Sequence, residues 1–147
     1  MPDLSRSVTT NEALLNYAEQ REHDVVFYPT ENCPSFTFQD EQKRCHIAIS
    51  NRATPEEAKT YLAHELGHCE YAGLYTRYSP YVLRSRCEYR ANKWAYLKLC
   101  PPGEVKEALA HGMDTPWALA ELFDVPLFFM RTCLSYYESI GLFSKEG

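Results

Sequence analysis

Thr54-Pro55-Glu56-Glu57-Ala58-Lys59-Thr60-Tyr61-Leu62-Ala63-His64-Glu65-Leu66-Gly67-His68 is the stretch on which the fold turns. It opens with helix punctuation: Thr54 supplies a capping hydroxyl, Pro55 suits the first helical position, and Glu57 completes a Thr-x-x-Glu capping box. These signals predict a helix from Pro55 to about Tyr71, with Gly73 as its C-terminal stop. His64 and His68 stand four residues apart on it, so their rings share one face. Leu62, Ala63 and Leu66 flank them and make this a partly buried helix rather than a solvated one.

Upstream, Glu12 to Arg21 reads as a helix capped by Thr10 or Asn11, with Leu14, Leu15 and Ala18 as its apolar stripe. Val25 to Tyr28, Phe36 to Phe38 and His46 to Ser50 read as three short strands, separated by Pro29, Pro34 and the polar run Gln39 to Arg44. Their close spacing predicts an antiparallel meander. Downstream, a long helix is predicted over Leu83 to Leu99, ended by Pro101 and Pro102, then three shorter ones over Gly103 to Ala110, Pro116 to Phe123 and Pro126 to Ser139. The fold class is therefore α+β: a small three-stranded antiparallel sheet packed on the Pro55 helix, with a mainly helical C-terminal half. No repeat or linker divides the chain, so residues 1–147 are expected to form one domain, with helices 103–143 packed on the rest.

Composition narrows the function classes. Fifteen basic residues against twenty acidic ones leave a net charge of −5, which gives no global attraction for a phosphate backbone. Direct nucleic-acid binding is not expected, and a basic protein partner would be favoured. The polar start, Met1 to Thr10, lacks the basic-then-apolar order of a secretory signal, and no apolar run is long enough to span a membrane. A cytoplasmic protein is expected, with Cys33, Cys45, Cys69, Cys87, Cys100 and Cys133 as free thiols. If any pair were oxidised, Cys33 and Cys45 would be the first to meet, because they flank one β connection.

The chemistry sits in His64-Glu65-Leu66-Gly67-His68. Two imidazoles on one helix face can meet one ion, and a catalytic zinc takes three protein ligands and keeps a fourth position for water. Glu65, one residue round the helix, is placed to take a proton from that water and pass it to a leaving amine. The third ligand must come from Glu70, Cys69, Cys87, Glu88 or His111. Glu70 and Cys69 are rotated away from the histidine face by their helical positions. Glu88 opens the pattern Glu88-x-x-Ala91-Asn92-x-Trp94-Ala95, in which Ala91 and Ala95, facing Gly67, would let two helix backbones approach. Asn92, one turn after Glu88, is a candidate to hydrogen-bond a ligand. His23 and His46 read as ordinary polar residues, and the oxyanion donor is left open among His111, Tyr89, Arg90, Arg131, Tyr136 and Tyr137.

The HELGH segment, preceded by Ile47-Ala48-Ile49-Ser50-Asn51 and followed by Glu88-x-x-Ala91-Asn92-x-Trp94-Ala95, resembles the ImmA/IrrE family of metallopeptidases from about Asp24 to Phe143. The resemblance implies a zincin-like domain with a gluzincin-like ligand set: Zn2+ held by His64, His68 and Glu88, and Glu65 as general base. It further implies, as family members do, cleavage of a helix-turn-helix repressor of a phage-related element or stress regulon. An extended substrate would lie along the sheet edge bordered by His46 to Ser50, and the aromatic loop from Tyr71 to Tyr81 shows no motif that settles its part.

Two readings from other classes compete. Thr115 to Pro126 looks like the first helix and turn of a helix-turn-helix, but the following helix carries Phe128, Phe129, Met130 and Leu134 with Arg131 as its only basic residue. Base readout needs polar and cationic side chains there. The other is a metal-bound interaction module without activity, which would close the site with a fourth protein ligand such as Cys69, Cys87 or His111. The sequence leaves oligomeric state undetermined.

Overall fold

The computed structural model describes residues 8–70, 74–75 and 78–143. In chain order they form α1 (Asn11–Gln20), β1 (Asp24–Tyr28), β2 (Ser35–Gln39), β3 (Cys45–Ser50), α2 (Pro55–Glu70), α3 (Tyr81–Leu99), α4 (Pro102–Ala110), α5 (Pro116–Phe123) and α6 (Leu127–Ser139). The expected stop at Gly73 lies outside the described residues, as does part of the Tyr71 to Tyr81 loop. Two compact units result, one of residues 10–95 and one that, among the described residues, comprises 8–9 and 96–143.

The α+β class holds, but the sheet is mixed rather than antiparallel. Its order is β1-β3-β2, with β1 parallel to β3 and β2 antiparallel to it. The β2–β3 hairpin turns at Asp40, whose Oδ1 accepts the amide protons of Gln42 and Arg44, while Lys43 adopts a left-handed φ of 66°. The connection from β1 to β2 instead steps over one strand position, and β3 fills the gap. Local pattern could not show this, because strand order is decided by which strand loses most of its surface in the fold. β3 does so: Cys45, Ile47, Ala48 and Ile49 are all buried, whereas β1 and β2 expose Val26, Tyr28, Phe36 and Phe38.

The register separates two faces. Val25, Phe27, Cys45, Ile47, Ile49, Ser35 and Thr37 share one face, and Val26, Tyr28, His46, Ala48, Phe36 and Phe38 share the other. α2 packs on β3 and β2, and α1 packs on α2 and β1. Ile47, Ile49, Leu62 and Leu66 are each 1% exposed or less, and burying such side chains is worth about 1.5–3 kcal/mol apiece.

α2 starts with the reciprocal cap the sequence predicts: the Thr54 amide donates to Glu57 Oε1 at 2.9 Å, and the Glu57 amide to Thr54 Oγ1 at 3.1 Å. α3 then crosses α2 at Gly67. A Cβ on Gly67 would lie 2.7 Å from the Ala91 carbonyl oxygen and 2.9 Å from its Cα, so only glycine permits this approach. Tyr17 of α1 tilts against Trp94 of α3 at 5.5 Å, and helps to hold the helix that carries Glu88.

The cysteine pairing also differs from expectation: Cys45 and Cys69 form a disulfide, with Cα atoms 6.3 Å apart, and Cys33, Cys87, Cys100 and Cys133 are free. The hairpin explains why Cys33 is not the partner. Cys45 pairs across the sheet with Gln39, whereas Cys33 precedes Ser35, which pairs with Ile49 at the opposite end of β3. The inward face of β3 instead presents Cys45 to the last turn of α2.

In the second unit α5 ends at Asp124, in the left-handed conformation with φ 57°, and α6 follows after Pro126. Leu119, Phe123, Phe129, Met130, Cys133 and Tyr137 are buried there. Tyr137 donates its hydroxyl proton to the Cys100 carbonyl at 2.7 Å, and Tyr96 meets the rings of Phe129 and Tyr136. No described helix is long and apolar enough to cross a membrane.

Candidate active site

The four-residue spacing on α2 and the glycine-mediated crossing of α3 bring three side chains to one point. His64 Nε2 lies 3.0 Å from Glu88 Oε1, His68 Nε2 lies 2.8 Å from Glu88 Oε2, and the two Nε2 atoms are 3.2 Å apart. Their rings meet edge to face at 4.8 Å, and both Nε2 atoms face the Glu88 carboxylate. His68 is nearly buried, whereas His64 and Glu88 are partly exposed, which opens the group to solvent on one side.

Electrostatics favour a carboxylate here. Burial opposes the ionisation of Glu88, but hydrogen bonds from His64, His68 and Tyr75 outweigh it and hold its carboxyl well below the usual range. Tyr75 donates its hydroxyl proton to Glu88 Oε2 at 2.7 Å and sets its ring edge-on to His68 at 6.0 Å. Burial first, then the Glu88 hydrogen bond and charge, push Tyr75 up to about 12, so it remains a donor at neutral pH. The sequence reading missed Tyr75: it sits in an irregular loop, where no periodicity assigns a face to a side chain.

Glu65 projects from the next position of α2 toward the sheet. Ser35 donates to its Oε2 and Thr37 to its Oε1, both at 2.7 Å, and Glu65 is 6% exposed. These two hydroxyls were also missed, although Ser35-Phe36-Thr37-Phe38 alternates polar and aromatic residues and so signals a polar inward face. Asn92 is half-buried on α3, and among the described residues no hydrogen bond joins it to a ligand side chain. Other sequence candidates have partners of their own. Glu70 pairs with Arg21 at 2.9 Å, Cys69 is bonded to Cys45, and His111 caps α4 with Nδ1 on the Glu107 carbonyl.

The donor set fits a first-row divalent ion such as zinc. With bonds of about 2.0–2.2 Å, tetrahedrally placed ligand atoms would lie about 3.3–3.6 Å apart, so holding zinc would widen the present 2.8–3.2 Å separations by about 0.1–0.8 Å. Among the described residues one other group has comparable spacing, His23 with Cys45 and Cys69. Its sulfurs are joined, and His23 Nδ1 accepts the Cys45 amide proton at 3.0 Å.

The strand order corrects one expectation about substrate. Both edges of β3 are paired, so nothing can add along Cys45–Ser50; among the described residues the outer strands of the sheet are β1 and β2.

Two imidazoles and a carboxylate aimed at one point, beside a second, buried carboxylate, make up the kind of site by which metallopeptidases hydrolyse amides. The chain belongs to the M78 family of peptidases: the family's model, described as the IrrE N-terminal-like domain, matches residues 18–135. Membership makes this a chain of a metallopeptidase family and implies a protein or peptide substrate. A comparison with curated proteins returned no match.

Proposed function

We propose that the protein is a zinc-dependent endopeptidase in which His64, His68 and Glu88 hold the metal and Glu65 is the general base. The observation that carries this reading is the convergence of His64 Nε2, His68 Nε2 and both Glu88 oxygens within 2.8–3.2 Å, with Glu65 on the adjoining helical position. When bound, zinc supplies a Lewis acid for the scissile carbonyl and makes water acidic enough to attack near neutral pH. Glu65 takes the proton from the attacking water and returns it to the departing amine. Tyr75 supports the Glu88 side through its hydrogen bond, and Asn92, one turn further along α3, is the next candidate to reach a ligand. The family match crosses both units, which supports treating residues 1–147 as one catalytic domain.

The substrate reading is a cytoplasmic helix-turn-helix repressor, cut at one or two positions. The M78 membership and the net charge of −5, which suits a basic DNA-binding partner, support it. An extended segment would add along the outer edge of β2, since that strand carries the two hydroxyls that touch Glu65. Co-expression with repressors encoded beside the protein, comparing wild type with Glu65→Gln, should give defined fragments with the wild type alone. Intact repressors in both cultures, with zinc bound, would refute the substrate assignment.

A further inference from the structure

Ser35 and Thr37 lie two residues apart on β2 and so point to the same face, the one that meets α2. Each gives its single hydroxyl proton to a different oxygen of Glu65, at 2.7 Å. That distance is the usual one for a well-formed O–H···O hydrogen bond. Register locks the pair in place: Thr37 stands opposite Ile47 and Ser35 opposite Ile49, both buried, and a slip by one residue would turn both hydroxyls to the other face.

We infer that Ser35 and Thr37 are positioning residues that together fix the plane and location of the Glu65 carboxylate before substrate arrives. The inference rests on Glu65 being the base, as proposed above. A carboxylate has about four acceptor sites, so two hydroxyls leave two free for the water and the amine. Fixing both oxygens removes side-chain freedom that would otherwise be lost at each turnover, and misplacing a reacting group by about 1 Å can cost on the order of 100-fold in rate. Neither hydroxyl touches the reacting atoms; both act through Glu65.

The test is Ser35→Ala/Thr37→Ala in the full-length, zinc-loaded protein. A kcat about 10- to 100-fold lower is expected, with KM and the zinc content unchanged, and each single variant should fall between this and wild type. Ser35→Thr/Thr37→Ser, which keeps both hydroxyls, should recover activity to within about five-fold of wild type. A crystal structure of the double alanine variant should show the Glu65 carboxylate displaced or spread over several rotamers. An unchanged kcat, or a Glu65 that keeps its place without the hydroxyls, overturns the inference. If the double variant does not fold, the single variants decide by the same kcat-against-KM split. If wild type itself cleaves nothing, the peptidase reading fails, and the crystallographic position of Glu65 still decides for or against the clamp.

Discussion

Two trios of metal-competent side chains meet α2 near its C-terminal end, and they differ in what their lone pairs already do. His64, His68 and Glu88 turn nitrogen and oxygen atoms toward a common centre, and Tyr75 adds a hydrogen bond to Glu88. His23, Cys45 and Cys69 also gather their ligand atoms within 4.8 Å of one another, yet a disulfide joins the sulfurs and the Cys45 amide occupies His23 Nδ1. Burial lowers the pKa of His23 as well, which favours the neutral ring that accepts this amide proton. Residue type and spacing are therefore not enough to make a site: the ligand atoms must also converge on one point and not be joined to each other covalently.

The sharpest way to break this contrast is metal content. Glu88→Ala should lower zinc affinity by at least about 100-fold, whereas His23→Ala and Glu65→Gln should each retain about one zinc per chain, as read by elemental analysis of dialysed protein. Equal loss in all three would remove the distinction between the trios.

The second trio should matter to stability instead. The Cys45–Cys69 bond closes a loop of 24 residues in sequence, which by chain entropy is worth about 3 kcal/mol. Cys45→Ser/Cys69→Ser should unfold at correspondingly lower denaturant while keeping its zinc. In unreduced native protein, alkylation should reach exposed Cys33 first and leave Cys45 and Cys69 unlabelled until reductant is added. Labelling of both without reductant would show two thiols where the comparison needs a bond.

The helix crossing that assembles the first trio gives a somewhat smaller effect. Gly67→Ala places a methyl 2.7 Å from the Ala91 carbonyl, and overpacking of this kind costs about 1–3 kcal/mol. Because Glu88 rides on α3, the same variant should weaken zinc binding more than a surface change of equal thermal cost. Undisturbed zinc affinity would detach the crossing from the site.

The smallest effect concerns a third histidine, on the exposed face of the sheet. His46 contacts Asp40 Oδ2 at 2.8 Å and Asp24 Oδ2 at 3.0 Å, and stacks on Phe38 at 4.8 Å. The Asp40 hydrogen bond raises the His46 pKa, and the same bond lowers that of Asp40. The His46 contribution to stability is then complete below its ordinary pKa of about 6.5 and is lost as pH rises through the raised value, while that of Asp40 is complete above about 3.9 and is lost as pH falls through the lowered one. A small melting-temperature difference between wild type and His46→Gln should appear between about pH 4 and 6.5 and shrink above it. A difference that grows with pH would reverse the assignment.

Much of this was legible in the chain itself. Thr54, Pro55 and Glu57 announce the active-site helix because caps are local, i to i+3, and need no partner elsewhere. His64 and His68 share a face by helical period alone, and Ala91 and Ala95 opposite Gly67 signal a close crossing. Long-range choices were not legible. The sequence marks three strands, yet only the buried run Cys45 to Ile49 decides that β3 is central, and with it which strands lie outermost. The same choice carries Cys45 away from Cys33 and toward Cys69, and turns Ser35 and Thr37 onto Glu65. Tyr75 reaches Glu88 from a loop without periodicity. Local hydrogen bonding and helical period thus set the elements and the His-Glu-x-x-His face from sequence alone. Strand order, the disulfide and the partners of both carboxylates depend on burial summed over distant segments, and only the tertiary structure could decide them.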